Sequence, residues 1–139
     1  MRAKQYLMQV WHIDRDIQSR IEERENILKT QISGIDYSKD SVQEGQKVFD
    51  DRYMKYLQLR DEIDAKIDEL IDLKREISRQ IDCLDDKVSM IVLRERYINM
   101  KSWSQIASSF GTSERHVWRM HKIALIQFEK MSENVSECH

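Results

Sequence analysis

Between residues 47 and 84, side chains return at two positions in every seven. Tyr53, Arg60, Ile67, Lys74 and Ile81 hold one position, and Tyr56, Ile63, Leu70, Ile77 and Leu84 hold the other, three residues on. Leu57, Leu59, Ile71 and Leu73 widen the stripe. A 3.5-residue repeat this long predicts a helix wound left-handedly against a partner helix. At ~1.5 Å per residue the helix would run roughly 57 Å. Arg60 and Lys74 interrupt the seam, where a polar residue lowers stability but fixes register or partner number.

Two partners are open. Residues 3–33 read as a first helix, with Leu7, Val10, Ile13, Ile17, Ile21, Leu28 and Ile32 on one face and Gly34 at its end. This helix can fold back as an antiparallel hairpin, or a second copy of the chain can pair with the first. The widened seam allows both together, with Tyr56, Ile63, Ile67, Leu70, Ile77 and Ile81 as the residues that would join two copies. The polar stretch 34–45, "GIDYSKDSVQEG", reads as the connection, with a turn around Tyr37. The chain has no proline and three glycines, so few breakers stand against long helices.

After Asp85 the period changes. A short helix is expected around Val88–Tyr97, a break near Asn99–Lys101, and a new helix at Ser102. Ser102 and Gln105 have the spacing of a capping box. Ile106, Ala107 and Phe110, then Gly111, then Val117 and Met120 have the spacing of a helix-turn-helix. Ala107 lets the helices approach closely, and Gly111 takes a left-handed turn at little strain. One unbroken helix would instead hold Gly111 mid-helix at a cost of ~1 kcal/mol. Ser113 is the expected N-cap of the second helix, and Trp103 and His121 are expected to pack inside.

The charge is uneven. Formal net charge is -2, but residues 101–131 carry five basic side chains against two acidic ones. Arg115, Arg119 and Lys122, with Glu114 and Trp118, lie on the outward face of the second helix. On a recognition helix, arginines one turn apart contact guanines or phosphates. Lys101, Lys122 and His116 suit phosphate contacts, Ser104, Gln105 and Thr112 suit either phosphates or caps, and Ser113 at the helix start joins the candidate DNA contacts. Trp118 serves equally well against DNA or against the preceding helices.

The segment "VLRERYINMKSWSQIASSFGTSERHVWRMHKIALIQF" resembles region four of bacterial sigma factors. It is still more similar to the C-terminal module of small phage and prophage regulators of Gram-positive bacteria, the RinA and ArpU-type proteins. Leu93, Arg94, Arg96, Tyr97, Trp103, Ile106, Ala107, Gly111, Ser113, Arg115, Val117, Arg119, His121, Ala124 and Leu125 carry the likeness. The N-terminal hairpin with its "YSKDSVQ" connection resembles one such phage family, so the likeness covers nearly the whole chain. It implies sequence-specific binding of double-stranded DNA by a transcription regulator in the bacterial cytoplasm, with possible contact to RNA polymerase. The segments with which a full sigma factor grips the polymerase core are missing.

The expected fold is therefore all-α. A helical hairpin or coiled-coil arm would occupy residues 1–84, a helix-turn-helix domain 85–132 with recognition helix 113–125, and a disordered tail 133–139. The expected partner is a second copy, as a homodimer. Two other functions compete: a DNA-packaging protein like a phage terminase small subunit, and a helix-turn-helix turned into a protein-docking surface. No nucleophile–base pair or phosphate loop is legible, so no enzyme, cofactor or metal site is expected. If Asp50–Asp51 and Asp85–Asp86 lie on helices, the two side chains of each pair point about 100° apart and do not converge. Neither a signal peptide nor a membrane span is legible. Cys83 and Cys138 lack zinc-like spacing and read as free thiols in a reducing compartment.

Overall fold

The computed structural model describes residues 2–33 and 42–134, with side chains at 2–29 and 51–134. The described chain is all-helical: α1 (Arg2–Ser33), α2 (Val42–Ile81), α3 (Lys87–Leu93), a π-helical turn (Arg94–Ile98), α4 (Trp103–Phe110) and α5 (Glu114–Glu133). Among the described residues, no helix is long and apolar enough to cross a membrane.

α1 ends before Gly34, as its spacing predicts, but α2 begins at Val42 rather than 47, so Gly45 lies within it. A single glycine lowers helix stability by only ~1 kcal/mol, little against a helix of this length. The turn expected around Tyr37 lies outside the described residues, as does most of the expected tail. α5 nevertheless runs to Glu133, and Asn134 caps it.

The chain divides into two compact units, Ile13–Glu69 and a second made of Met1–His12 with Leu70–His139. In the first unit α1 and α2 pair antiparallel. Arg20 bonds Glu62 at 2.7 Å and Asp16 at 3.2 Å, and Lys66 lies 3.8 Å from Asp16. The lower-numbered residues of α1 thus meet the higher-numbered ones of α2. Ile17, Leu59 and Ile63 are buried there.

The heptad reading needs a correction in its details. Ile63 is buried in the first unit, and Leu70, Ile77 and Ile81 are buried in the second, so single-chain packing already covers these four proposed pairing positions. Tyr56 is half-buried, and Ile67 remains 37% exposed. Arg60 does not break the buried seam, because the Tyr53–Arg60–Ile67 row faces outward. The reason is angular: positions three residues apart differ by about 60° around a helix, enough to put one row inside and the other out.

The second unit contains the helix-turn-helix. It reaches beyond residues 85–132, because Ala3, Leu7 and Val10 of α1 are buried in it. Val92 and Leu93 of α3, Tyr97, and Ala124, Leu125 and Phe128 of α5 are buried in the same unit. Tyr6 stacks on Phe128 with ring centroids 6.3 Å apart. Asp86 starts α3 by accepting from the Val88 N–H at 3.1 Å and the Ser89 hydroxyl at 2.9 Å. Those bonds, the Ser89 hydroxyl first, hold its carboxyl below the usual carboxylate range.

Cys83 is disulfide-bonded, which corrects the free-thiol reading at that position and removes its support for a reducing compartment. Separation in sequence says nothing about separation in space. The turn holding Cys83 shares a surface depression with Lys130, Met131 and Asn134 at the end of α5. Cys138 lies outside the described residues.

Candidate nucleic-acid interface

Local chemistry fixes the helix-turn-helix at both helix starts and at the turn. Ser102 and Gln105 form the expected capping box: the Gln105 N–H donates to Ser102 Oγ at 3.2 Å, and the Ser102 N–H donates to Gln105 Oε1 at 2.9 Å. α4 stops at Gly111, whose φ of +64° is left-handed. The Thr112 N–H then reaches back to the Ala107 carbonyl at 3.0 Å, satisfying a carbonyl the helix end would strand. Ser113 restarts the chain as N-cap, its Oγ accepting from the His116 N–H at 3.2 Å. Ile106, Ala107 and Val117 form the buried seam between α4 and α5, with Trp103, Phe110 and Met120 packed against it.

With that seam inside, the opposite face of α5 is turned to solvent. Arg115, Arg119, Lys122 and Ile126 are all exposed and follow one another at steps of four, three and four, which places them in one row. None of the three cations is ion-paired among the described residues. Glu114 and His116 are exposed beside them.

The other sequence-derived positions separate into two kinds. Gln105 and Ser113 are occupied in capping. Thr112 is half-buried, and Lys101 is half-buried and ion-paired with Glu95, so its charge is already met. Trp118 packs in part against the preceding helix and stays partly open to solvent. It is 48% exposed, yet its ring lies 5.5 Å from that of Trp103 and 6.1 Å from that of His121.

Behind this surface sits a cluster that spacing did not reveal. The Arg96 guanidinium lies between two indoles, 4.3 Å from the Trp11 centroid and 4.2 Å from that of Trp103. The Trp11 Nε1–H donates to the Arg96 carbonyl at 3.2 Å, and Arg96 donates to the Lys101 carbonyl at 3.0 Å. An arginine stacked on aromatic faces keeps its charge while losing much of its water. His121 is buried beneath Trp103 and shares a 2.7 Å hydrogen bond with the Tyr97 hydroxyl. Burial, then the charges of Arg96 and Lys4, push the imidazole down to about 4, and burial pushes the Tyr97 phenol up to about 12. A protonated phenol can then donate to a neutral imidazole, which satisfies both groups without a buried charge.

Sequence reasoning missed Lys4. Its ammonium stands 5.6 Å from the Trp118 ring, so the first turn of α1 adds a cation beside the exposed helix. Only the folded chain brings these residues together, and no local pattern marks Lys4.

A family model described as a protein of unknown function (DUF1492) matches residues 31–129, well over half of the chain. The chain belongs to this family. The DUF1492 match covers all of α2, α3 and α4 and most of α5, so α2 and the helix-turn-helix fall within it together, with only the end of α1. No curated protein and no solved structure matches the chain.

Proposed function

We propose that this DUF1492 chain is a sequence-specific double-stranded-DNA-binding transcription regulator. α5 enters the major groove, and the α1–α2 arm makes contacts with a second copy or with RNA polymerase. The resemblance to phage and prophage regulators supports phage late genes in a bacterial cytoplasm as its proposed targets. The observation that carries the reading is the α5 face: Arg115, Arg119 and Lys122 in a row, exposed and without ion-pair partners among the described residues. The left-handed turn at Gly111 ends α4 before that row begins.

In this arrangement the two arginines read base edges and Lys122 lies against the phosphates, with Lys4 and the edge of Trp118 extending the surface. A bidentate arginine–guanine pair discriminates by ~1–3 kcal/mol, whereas a phosphate contact adds affinity that falls with salt. Selection from a random duplex pool, followed by titration of the selected site at two salt concentrations, tests this. Arg119→Ala should weaken binding to the selected site at least tenfold and leave the thermal transition in place. Failure to select any sequence, or binding unchanged by Arg119→Ala, would remove the reading.

Ile123 and Ile126, 52% and 40% exposed on the same helix, favour a second reading in which this surface docks a protein. Salt-independent chromatographic behaviour with and without DNA would support it over the first.

A further inference from the structure

α2 carries a second stripe besides the one that pairs with α1. Leu57, Arg60, Asp64 and Ile67 follow one another at steps of three, four and three, the alternation of a coiled-coil seam. All four lie in the compact unit Ile13–Glu69. Leu57 is half-buried, while Arg60, Asp64 and Ile67 are exposed on a face distinct from that of buried Leu59 and Ile63. Met54 flanks the stripe at 63% exposure, and a shallow depression along it is lined by Met54, Leu57, Arg60 and Asp61.

The order along this stripe is aliphatic, cation, anion, aliphatic. That order is self-complementary in one orientation only. If two copies run antiparallel about a two-fold axis at Glu62, Leu57 meets Ile67 of the second copy and Arg60 meets Asp64, each contact occurring twice. Antiparallel coiled coils pair unlike seam positions in this way. In a parallel pair Arg60 would face Arg60 and Asp64 would face Asp64, and both contacts repel. Within one chain Arg60 is 3.4 Å from Asp61, an ion pair open to solvent. The guanidinium has donors enough to hold Asp61 and reach a second carboxylate. Asp61 lies beside the axis and would face its own copy, and the two Arg60 side chains offset that repulsion.

We infer that this outer stripe of α2 is a self-association surface, and that its partner is a second copy of this chain running antiparallel. The inference specifies the self-contact of the proposed regulator. It rests on α2 alone, so failure to bind DNA leaves it standing.

Sedimentation equilibrium on the full chain tests it through charge exchange. The unaltered chain should dimerise. Arg60→Glu and Asp64→Arg alter exposed side chains, so each should keep its helical circular dichroism while weakening the dimer at least about tenfold. An equimolar mixture of the two variants should recover the dimer, as should the double variant, because opposite charges again face each other. Benzoylphenylalanine at position 57 should photo-crosslink to the peptide carrying Ile67 of the other copy. A monomeric or ring-forming native chain, a dimer indifferent to both variants, or a crosslink from position 57 to position 57 would each overturn the inference.

Discussion

Replacing His121 with glutamine should flatten the acid limb of the protein's stability. In the folded chain the imidazole is pushed from its ordinary 6.5 to about 4 by burial, then by Arg96 and Lys4, with Tyr97 as its hydrogen-bond partner. The unfolded chain therefore takes up this proton first as the pH falls. The stability at stake is fully present above pH 6.5 and is lost progressively towards pH 4. The whole shift corresponds to roughly 3 kcal/mol, and the part lost between pH 7.5 and pH 5 is about 2 kcal/mol. Urea unfolding followed by circular dichroism measures this directly, since 2 kcal/mol moves the midpoint by about 1 M. Glutamine can still accept from the Tyr97 hydroxyl but does not titrate. The His121→Gln midpoint should consequently fall by about 1 M less than that of the native protein over the same pH interval. Contributions from the carboxylates and other histidines are common to both chains and cancel in the difference. Equal losses in both proteins would show that His121 is not held neutral by its surroundings.

Gly111→Ala would force an alanine to φ +64° but into open space, since an added Cβ meets nothing within 4 Å. It should lower stability by about 1 kcal/mol, a fall of roughly 3 °C in Tm by scanning calorimetry, and a larger loss would mean that α5 itself shifts. Ile106→Ala empties a fully buried position in the α4–α5 seam and should cost about 2–5 kcal/mol in chemical unfolding; below 1 kcal/mol the seam would have to be collapsing around the gap. Ile63→Asp should prevent folding of the hairpin, whereas Ile67→Asp at the exposed stripe should leave the monomer's melting curve close to native. Matching losses at the two positions, measured at dilution, would refute the inner and outer assignment of the α2 rows.

The parts of the fold legible in the sequence are those set by neighbours along the chain. Ser102 with Gln105, Gly111 and Ser113 each act within one turn of helix, so spacing alone places both caps and the turn. The seam of Ile106, Val117 and Met120 is legible for the same reason, because helical period sets Ile106 on the inner face of α4 and Val117 with Met120 on that of α5. The heptads on α2 show that a long helix exists, but they do not say which row its partner covers. Two rows of similar composition lie close together around the helix, and only the position of α1 decides between them.

The cluster behind the candidate interface was illegible for another reason. Trp11 and Arg96 are joined across 85 residues, and Lys4 reaches Trp118 from the opposite end of the sequence. Contacts of that range leave no periodic trace. The π-helical turn at Arg94–Ile98 also has no marker in residue type. It spans the arginine that two tryptophans enclose and the tyrosine that meets His121.

The unit that carries the helix-turn-helix is assembled from both ends of the chain, with residues up to His12 packed among those after Leu70. During synthesis the first three turns of α1 therefore emerge long before anything exists for Leu7, Val10 and Trp11 to bury against. Loop closure over so long a segment must precede the reward of those contacts, which slows the step that completes the unit. The arm unit, Ile13–Glu69, can pair its helices while translation continues. The helix-turn-helix unit can close only after α5 has been made, so a nascent or truncated chain lacking Phe128 would hold the start of α1 exposed and leave the α5 face unsupported.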